Sequence, residues 1–507
     1  MRGQQPPPAG GARSGRPGGG ERRPQGPSRP QRARTASPPA ARPRRGDPAR
    51  QVAFDVLRAV ESEDAYANLV LPRLLRAARL DARDAAFATE LAYGALRGRG
   101  TYDAVLAACT DRPLAQVDPP VLDALRLGAH QLLATRVAPH AAVSETVGLV
   151  RGAVGAGAGA FTNAVLRRVS EHDLATWLDR VAPDAATDPV GALAVRQSHP
   201  AWIVRAMREA LGAHGRPVEE LTALLAADNA RPQVALAALP GLAEVGELAG
   251  EGARLGRWSP VAAVLEEGDP GDVPAVRESR ARVQDEGSQL AALTLLAAEV
   301  APRDGQDGED GERWADLCAG PGGKAALLAA SAAQRGASLT AVETAPHRAR
   351  LVEQALAGTP GGWQVRVGDG REVGAEEPGA YDRVLVDVPC TGLGALRRRP
   401  EARWRRTPAD LVSLAPLQRA LLASALDAVR PGGVVAYVTC TPHPAETLAV
   451  VEDVLRRRDD VERLDTPAHV RAAAGREVPD LGEGPSAQLW PHRHGTDAMF
   501  VALLRRT

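Results

Sequence analysis

A chain of 507 residues with zero net formal charge, 44% hydrophobic and 24% charged residues, has the composition of a globular protein, and its length suggests about three domains. No apolar run approaches the roughly 18 residues needed to cross a bilayer, and the first residues are arginine, proline and glycine rather than the apolar core of a signal peptide, so a membrane role is not expected and a cytoplasmic location is. The four cysteines, Cys109, Cys318, Cys390 and Cys440, are too few for a disulfide scaffold and lack CxxC spacing, so no metal site is expected and each is read singly.

Residues 1–46 hold eleven arginines against Glu21, a net of +10, which leaves about −10 on the remainder. Rich also in proline and glycine, this segment carries too little apolar surface to fold and is expected to be a disordered basic tail, either simply solvated or attracted to RNA phosphates. From 47 to 172 the pattern is helical. Val52, Val56 and Val60 recur every four residues, Phe87 and Leu91 do the same, and Val121, Leu125 and Leu132 share a stripe. The segments RDAAFATELAYGALR (83–97), LRLGAHQLL (125–133) and FTNAVLRR (161–168) resemble the helical RNA-binding domain of the NusB antitermination factor family, which implies an all-α domain that binds RNA.

Residues 173–275 read as a small adaptor with helices and strands, containing SHPAWIV (198–204), DNARPQVALAAL (228–239) and the turn sequence GDPGDVP (268–274). A third domain is expected over 276–507. Apolar runs at 314–317, 339–342, 365–367, 384–388 and 434–438 alternate with helical stretches, the pattern of a parallel α/β sheet of Rossmann-like type with helices on both faces. Such sheets bind ligands beyond the carboxyl ends of their strands, where the strand order reverses.

DLCAGPGGKA (316–325) lies at one such strand end and contains Lys324, the only lysine of the chain. A phosphate-binding loop would need glycine where Cys318 stands and Ser or Thr where Ala325 stands, and the dinucleotide fingerprint GxGxxG is not matched either. Glu343 follows Gly323 by 20 residues at the end of the second strand, a spacing suited to a ribose diol, and Asp369 follows the third strand. A glycine-rich loop followed by two strand-end acids is the order expected for S-adenosylmethionine in a Rossmann-like methyltransferase.

The fourth strand ends in DVPCTGLG, with Asp387 and Cys390, and the fifth in VTCTPHP, with Cys440. Cytosine explains the need for strand-end thiols. Its C5 is a poor nucleophile until a thiolate adds to C6, and a thiol both adds readily and leaves again. A carboxyl such as Asp387, hydrogen-bonding or protonating N3, assists the addition.

DLCAGPGGK, DVPCTGLGALRRRPEARW and YVTCTPHPAET closely resemble the RNA 5-methylcytosine methyltransferases. With the helical domain, VQDEGSQLAAL (283–293) and HGTDAMFVALL (494–504), the chain is similar to their bacterial 16S ribosomal RNA branch from about residue 48 to its end. The resemblance implies that Cys440 is the nucleophile and that Cys390 assists product release. It also implies that the cofactor S-adenosylmethionine is held by Cys318, Ala319, Gly320, Pro321, Gly322, Gly323, Lys324, Glu343, Asp369 and Asp387. Gly320 replaces a usual alanine and Glu343 a usual aspartate, which puts the ribose geometry in question. Lys324, a compact cation on a thin stem, is expected to reach either the cofactor's carboxylate or Asp387.

Beyond Cys390 stand Arg397, Arg398, Arg399, Arg403, Arg405 and Arg406, expected to contact RNA phosphates, while an aromatic content of 3% argues against extended base stacking. A monomer acting on 16S ribosomal RNA is the expectation. The sequence leaves open another RNA, such as transfer RNA, and an RNA-binding factor without activity.

Overall fold

In the computed structural model, which describes residues 47–250, 252–302 and 311–507, the stripe of Val52, Val56 and Val60 is buried in the helix Pro48–Ser62. The basic segment 1–46 lies outside the described residues. Pro48 occupies the first helical turn, where its missing N–H costs nothing, and the Asp47 carboxylate accepts the Arg50 amide at 2.9 Å. Helices Ala67–Ala78, Ala82–Arg97, Arg99–Ala108, Pro119–Ala134, Pro139–Ala153 and Ala156–Val169 follow, and they close one core around Phe54, Leu91, Leu106, Leu125 and Leu166. An all-α domain results, as the periodicity predicts.

Helices Leu174–Val181, Pro189–Arg196, Ala201–Ala213 and Leu221–Asn229 lead into a small antiparallel sheet of β1 (Val234–Ala238), β2 (Ala253–Leu255), β3 (Ala262–Leu265) and β4 (Ala281–Val283), ordered β2-β3-β1-β4. The expected division at 276 cuts this sheet, because β4 pairs Ala281 with Ala238 and Val283 with Leu236. The turn-rich 268–274 segment is therefore a connection inside the adaptor, and the change of domain falls after Val283.

The large sheet contains β5 (Arg313–Asp316), β6 (Ser338–Glu343), β7 (Gly362–Val367), β8 (Tyr381–Asp387), β9 (Val429–Thr439), β10 (Val461–Arg463), β11 (Ser486–Gln488) and β12 (Phe500–Arg506). Its order is β10-β12-β9-β8-β5-β6-β7, with β11 beside β12. The first five strands are parallel, as expected, whereas β12 runs antiparallel between β9 and β10 and pairs Phe500 with Thr439. Alternate residues bury on opposite faces: Trp314 and Val434 in one core, Ala315 and Val435 in the other. That double burial is why the parallel strands read as unbroken apolar runs. Strand order reverses at β5, which is flanked by β6 and β8, so the turns after β5 and β8 open side by side.

Candidate active site

The turn 317–322 joins β5 to the helix Gly323–Arg335. Gly322, with φ of 101°, adopts the left-handed conformation that ends the turn, and a side chain there would press on the Ala355 methyl at 2.5 Å. Gly320 is required for a different reason. A Cβ at this position would lie 2.2 Å from Glu343 Oε2 and 2.8 Å from Arg348 Nη2. Glu343, buried at the end of β6, accepts the Gly320 amide at 3.1 Å and the Ala345 amide at 3.0 Å, while Arg348 donates to the Gly320 carbonyl at 2.7 Å. The longer acid is thus accommodated by the missing methyl opposite it, and most of its acceptor capacity is already engaged by protein donors.

Of the two partners expected for Lys324, the structure has Asp387, with Nζ donating to Oδ2 at 2.7 Å. Burial opposes the ammonium charge, but the Asp387 carboxylate more than compensates and the lysine's pKa lies above its usual value. Asp316, at the end of β5 and 1% exposed, belongs to the same group of charges. Burial, reinforced by repulsion from Asp387, pushes its carboxyl up to about 7. The Cys318 thiol is raised well above its ordinary value by burial and then by the negative fields of Asp316 and Asp387.

The two strand-end cysteines meet. Cys390 Sγ lies 3.4 Å from Cys440 Sγ. Cys440 is held below the usual thiol pKa, chiefly by its hydrogen bond with Cys390 and further by the positive fields of Lys324 and Arg399, against the opposing effects of burial and of the Asp387 carboxylate. Cys390 is pushed well above it by the same hydrogen bond, by burial and by the field of Cys440. Cys440 is therefore the sulfur disposed to carry the negative charge, and Cys390 the one disposed to keep its proton.

Buried groups absent from the sequence-based expectations hold this pair. Glu446, fully buried, accepts from the Thr391 amide at 2.8 Å and from the Thr391 hydroxyl, and Gln418 bridges Glu446 at 3.1 Å to the Pro389 carbonyl at 2.9 Å. Gly394 donates to the Cys440 carbonyl at 2.9 Å, and a Cβ there would meet the Ala498 carbonyl at 2.2 Å, which fixes the turn after β8 against the end of β9. Glu446 lies in the YVTCTPHPAET segment and Asp316 opens DLCAGPGGKA, but neither spacing nor residue type distinguished them from surface acids. Asp369, beyond β7, closes an ion pair with Arg371, whose Nε donates to Oδ2 at 2.9 Å.

The arginine expectation needs correction. Arg397 and Arg398 bind Asp285 at 2.7 and 2.6 Å and Asp497 at 2.7 and 3.1 Å, forming a cluster of four charges in which the Arg398 side chain is half-buried and the other three are largely buried. Arg403 has no exposed surface and donates to the carbonyls of Arg97, Ser198 and Asp228 and to Asn229. Arg405 donates to the carbonyls of Val60, Asp64 and Ala65, and Arg406 to Asp410. These donors are engaged by the protein itself, because a segment inserted between three layers of structure must satisfy the carbonyls it meets. Arg399 alone of the six is exposed.

A helical domain joined to a doubly wound sheet with two apposed strand-end thiols is the architecture of this chain, and the families it matches place it among RNA methyltransferases. The NusB family description matches residues 47–171, and the description "16S rRNA methyltransferase RsmB/F" matches residues 306–505. A Mycobacterium tuberculosis protein described in general terms as a methyltransferase is 54% identical over 462 residues, covering 91% of this chain and 97% of its own. The ribosomal RNA small subunit methyltransferase B of Pseudomonas putida is 32% identical over 446 residues, covering 85% of this chain and 94% of its own. Among solved structures, the crystal structure of PH0851 aligns with a TM-score of 0.73 at 21% identity, over 92% of this chain and 99% of that one, which establishes likeness of fold. The chain belongs to the RsmB/F family of methyltransferases, in its RsmB (Sun) branch with the NusB-type domain.

Proposed function

We propose that this protein methylates C5 of a cytosine in 16S ribosomal RNA, with S-adenosylmethionine as methyl donor and Cys440 as covalent nucleophile. The observation that carries this reading is the pair of thiols 3.4 Å apart beside the Lys324–Asp387 ion pair. The name of the Pseudomonas putida relative supports the choice of ribosomal RNA.

Residues 318–324, Glu343, Asp369 and Asp387 would hold the cofactor. The fit is chemical: a turn without side chains at 320, 322 and 323 lets a ligand approach its backbone closely, and carboxylates follow β6, β7 and β8 on the same edge. Bound there, S-adenosylmethionine would supply a methyl group on a positively charged sulfur. Cys440 adds to C6 of the cytosine through its sulfur, and the ring's extra electron density is stabilised by a proton at N3 from the Lys324–Asp387 pair. After methylation a base takes the C5 proton, the electrons of that bond re-form the C5–C6 double bond as the C6–sulfur bond breaks, the N3 proton returns to the Lys324–Asp387 pair, and Cys440 leaves as the thiolate. Cys390 assists this elimination, and Glu446 and Gln418, through Thr391 and Pro389, hold its turn in position.

The test is transfer of labelled methyl into unmodified small-subunit ribosomal RNA, with bisulfite mapping of the product. Cys440→Ala should abolish transfer, and undiminished transfer would refute the nucleophile. Cys390→Ala should accumulate a protein–RNA adduct that survives denaturing electrophoresis; rapid turnover without adduct would remove the release role.

A further inference from the structure

The chain contains sixteen aromatic residues, all within the described parts, and Tyr66 alone among them is exposed, at 37%. It belongs to the helical domain but stands beside the catalytic turn. The Arg399 guanidinium lies 5.4 Å from its ring centroid and that of Arg405 5.3 Å. The backbone on either side is pinned by the segment following Cys390: Arg405 donates to the Ala65 carbonyl at 2.7 Å, and buried Glu401 accepts the Ala67 amide at 3.1 Å. An exposed ring so fixed has its position determined before any ligand arrives.

Arg399 connects this ring to the nucleophile. Its amide bonds to the Ala395 carbonyl, and the adjacent Gly394 amide bonds to the Cys440 carbonyl, so two hydrogen bonds and a few residues separate them. Among the described residues its side chain has no hydrogen-bond acceptor or carboxylate partner, unlike the five neighbouring arginines. The field of Arg399 also reaches the Cys440 sulfur.

We propose that Tyr66 and Arg399 form a nucleotide platform in which an unpaired base flanking the target cytosine stacks on the Tyr66 ring and its phosphate pairs with Arg399. A flipped or unpaired target leaves its neighbours without a stacking partner, and one fixed ring replaces that partner irrespective of base identity. A single platform also agrees with a chain too poor in aromatics for extended stacking. The helical domain thereby contributes a residue to the edge of the catalytic site, in addition to any RNA it holds elsewhere. This inference rests on the RNA-methylating reading above.

The test uses the full chain with unmethylated small-subunit ribosomal RNA transcript. Tyr66→Leu, which keeps an apolar side chain but removes the ring, should raise Kd and KM for RNA about tenfold while leaving S-adenosylhomocysteine affinity and Tm unchanged, and Tyr66→Trp should restore binding. With 5-bromouridine in the transcript, ultraviolet irradiation should cross-link the peptide containing Tyr66. Equal KM for Tyr66→Leu and wild type, or equal weakness of Leu and Trp variants, overturns the platform even if wild type methylates RNA normally. If wild type neither binds nor methylates RNA, the functional reading falls and the platform with it.

Discussion

Glycine at 320 and glutamate at 343 are a matched pair, and a double-mutant cycle measures the match. In Gly320→Ala the new methyl would stand 2.2 Å from Glu343 Oε2, well inside van der Waals contact, and 2.8 Å from Arg348 Nη2. Overpacking of this kind costs about 1–3 kcal/mol, and displacement of Glu343 would also break its bond to the Gly320 amide at 3.1 Å. Removing one methylene in Glu343→Asp withdraws the carboxylate by about 1.3 Å, a little less than one carbon–carbon bond. The 2.2 Å contact then opens to about 3.5 Å, an ordinary separation between packed atoms. Gly320→Ala alone should therefore lower Tm and weaken S-adenosylhomocysteine binding by isothermal titration. Addition of Glu343→Asp should recover half or more of both losses, with a coupling energy of about 1–2 kcal/mol. Strict additivity of the two substitutions would refute the argument, since it would mean that the carboxylate does not occupy the space opposite residue 320.

Three other outcomes are expected. Alkylation of Cys440 by iodoacetamide should rise with pH at a midpoint below that of an ordinary thiol, and Lys324→Met or Cys390→Ala should move it upward, because each removes a group that stabilises the thiolate; an unmoved midpoint would contradict the assigned causes. Asp316, raised to about 7 by burial, favours the folded state while protonated, so its contribution is complete below the unfolded carboxylate range and is lost as pH rises toward 7. Asp316→Asn should accordingly gain Tm over wild type as pH increases from 4 to 7, and a constant difference would exclude that assignment. The arginines separate into two groups: Arg399→Gln should reduce the slope of log affinity for RNA against log salt by about one, whereas Arg403→Leu should cost about 3–5 kcal/mol of stability by leaving the carbonyls of Arg97, Ser198 and Asp228 without a donor. Equal salt slopes for Arg399→Gln and wild type, or a Tm for Arg403→Leu within a degree of wild type, would reverse the division.

The strand-end residues were legible because their chemistry is tied to local pattern. A Gly-rich turn after an apolar run, an acid 20 residues further on, and cysteines at the ends of successive runs occupy one edge in any parallel sheet, so Lys324, Glu343, Asp387, Cys390 and Cys440 could be named without coordinates. Resemblance supplied the roles expected of them. The arginines misled because six charges within ten residues suggest a solvated phosphate-binding loop, and local sequence does not say that Asp285, Asp497, Asp228 and the ends of two distant helices converge on that loop. The same limit displaced the domain boundary, since β4 owes its place to pairing with Val234–Ala238 about 45 residues earlier and not to its own three residues.

The sequence by itself determined the order of domains, the parallel strands and the placing of two cysteines at the ends of successive strands, because periodicity and turn chemistry act between neighbours along the chain. Tertiary structure alone decided that the two sulfurs are 3.4 Å apart, that the single lysine faces Asp387, and that Glu343 fills the space left by Gly320. It also decided which one of six arginines faces solvent. Distances, desolvation and the fields of neighbouring charges are properties of the packed chain, and residue order does not contain them until strands from distant parts of the sequence lie side by side.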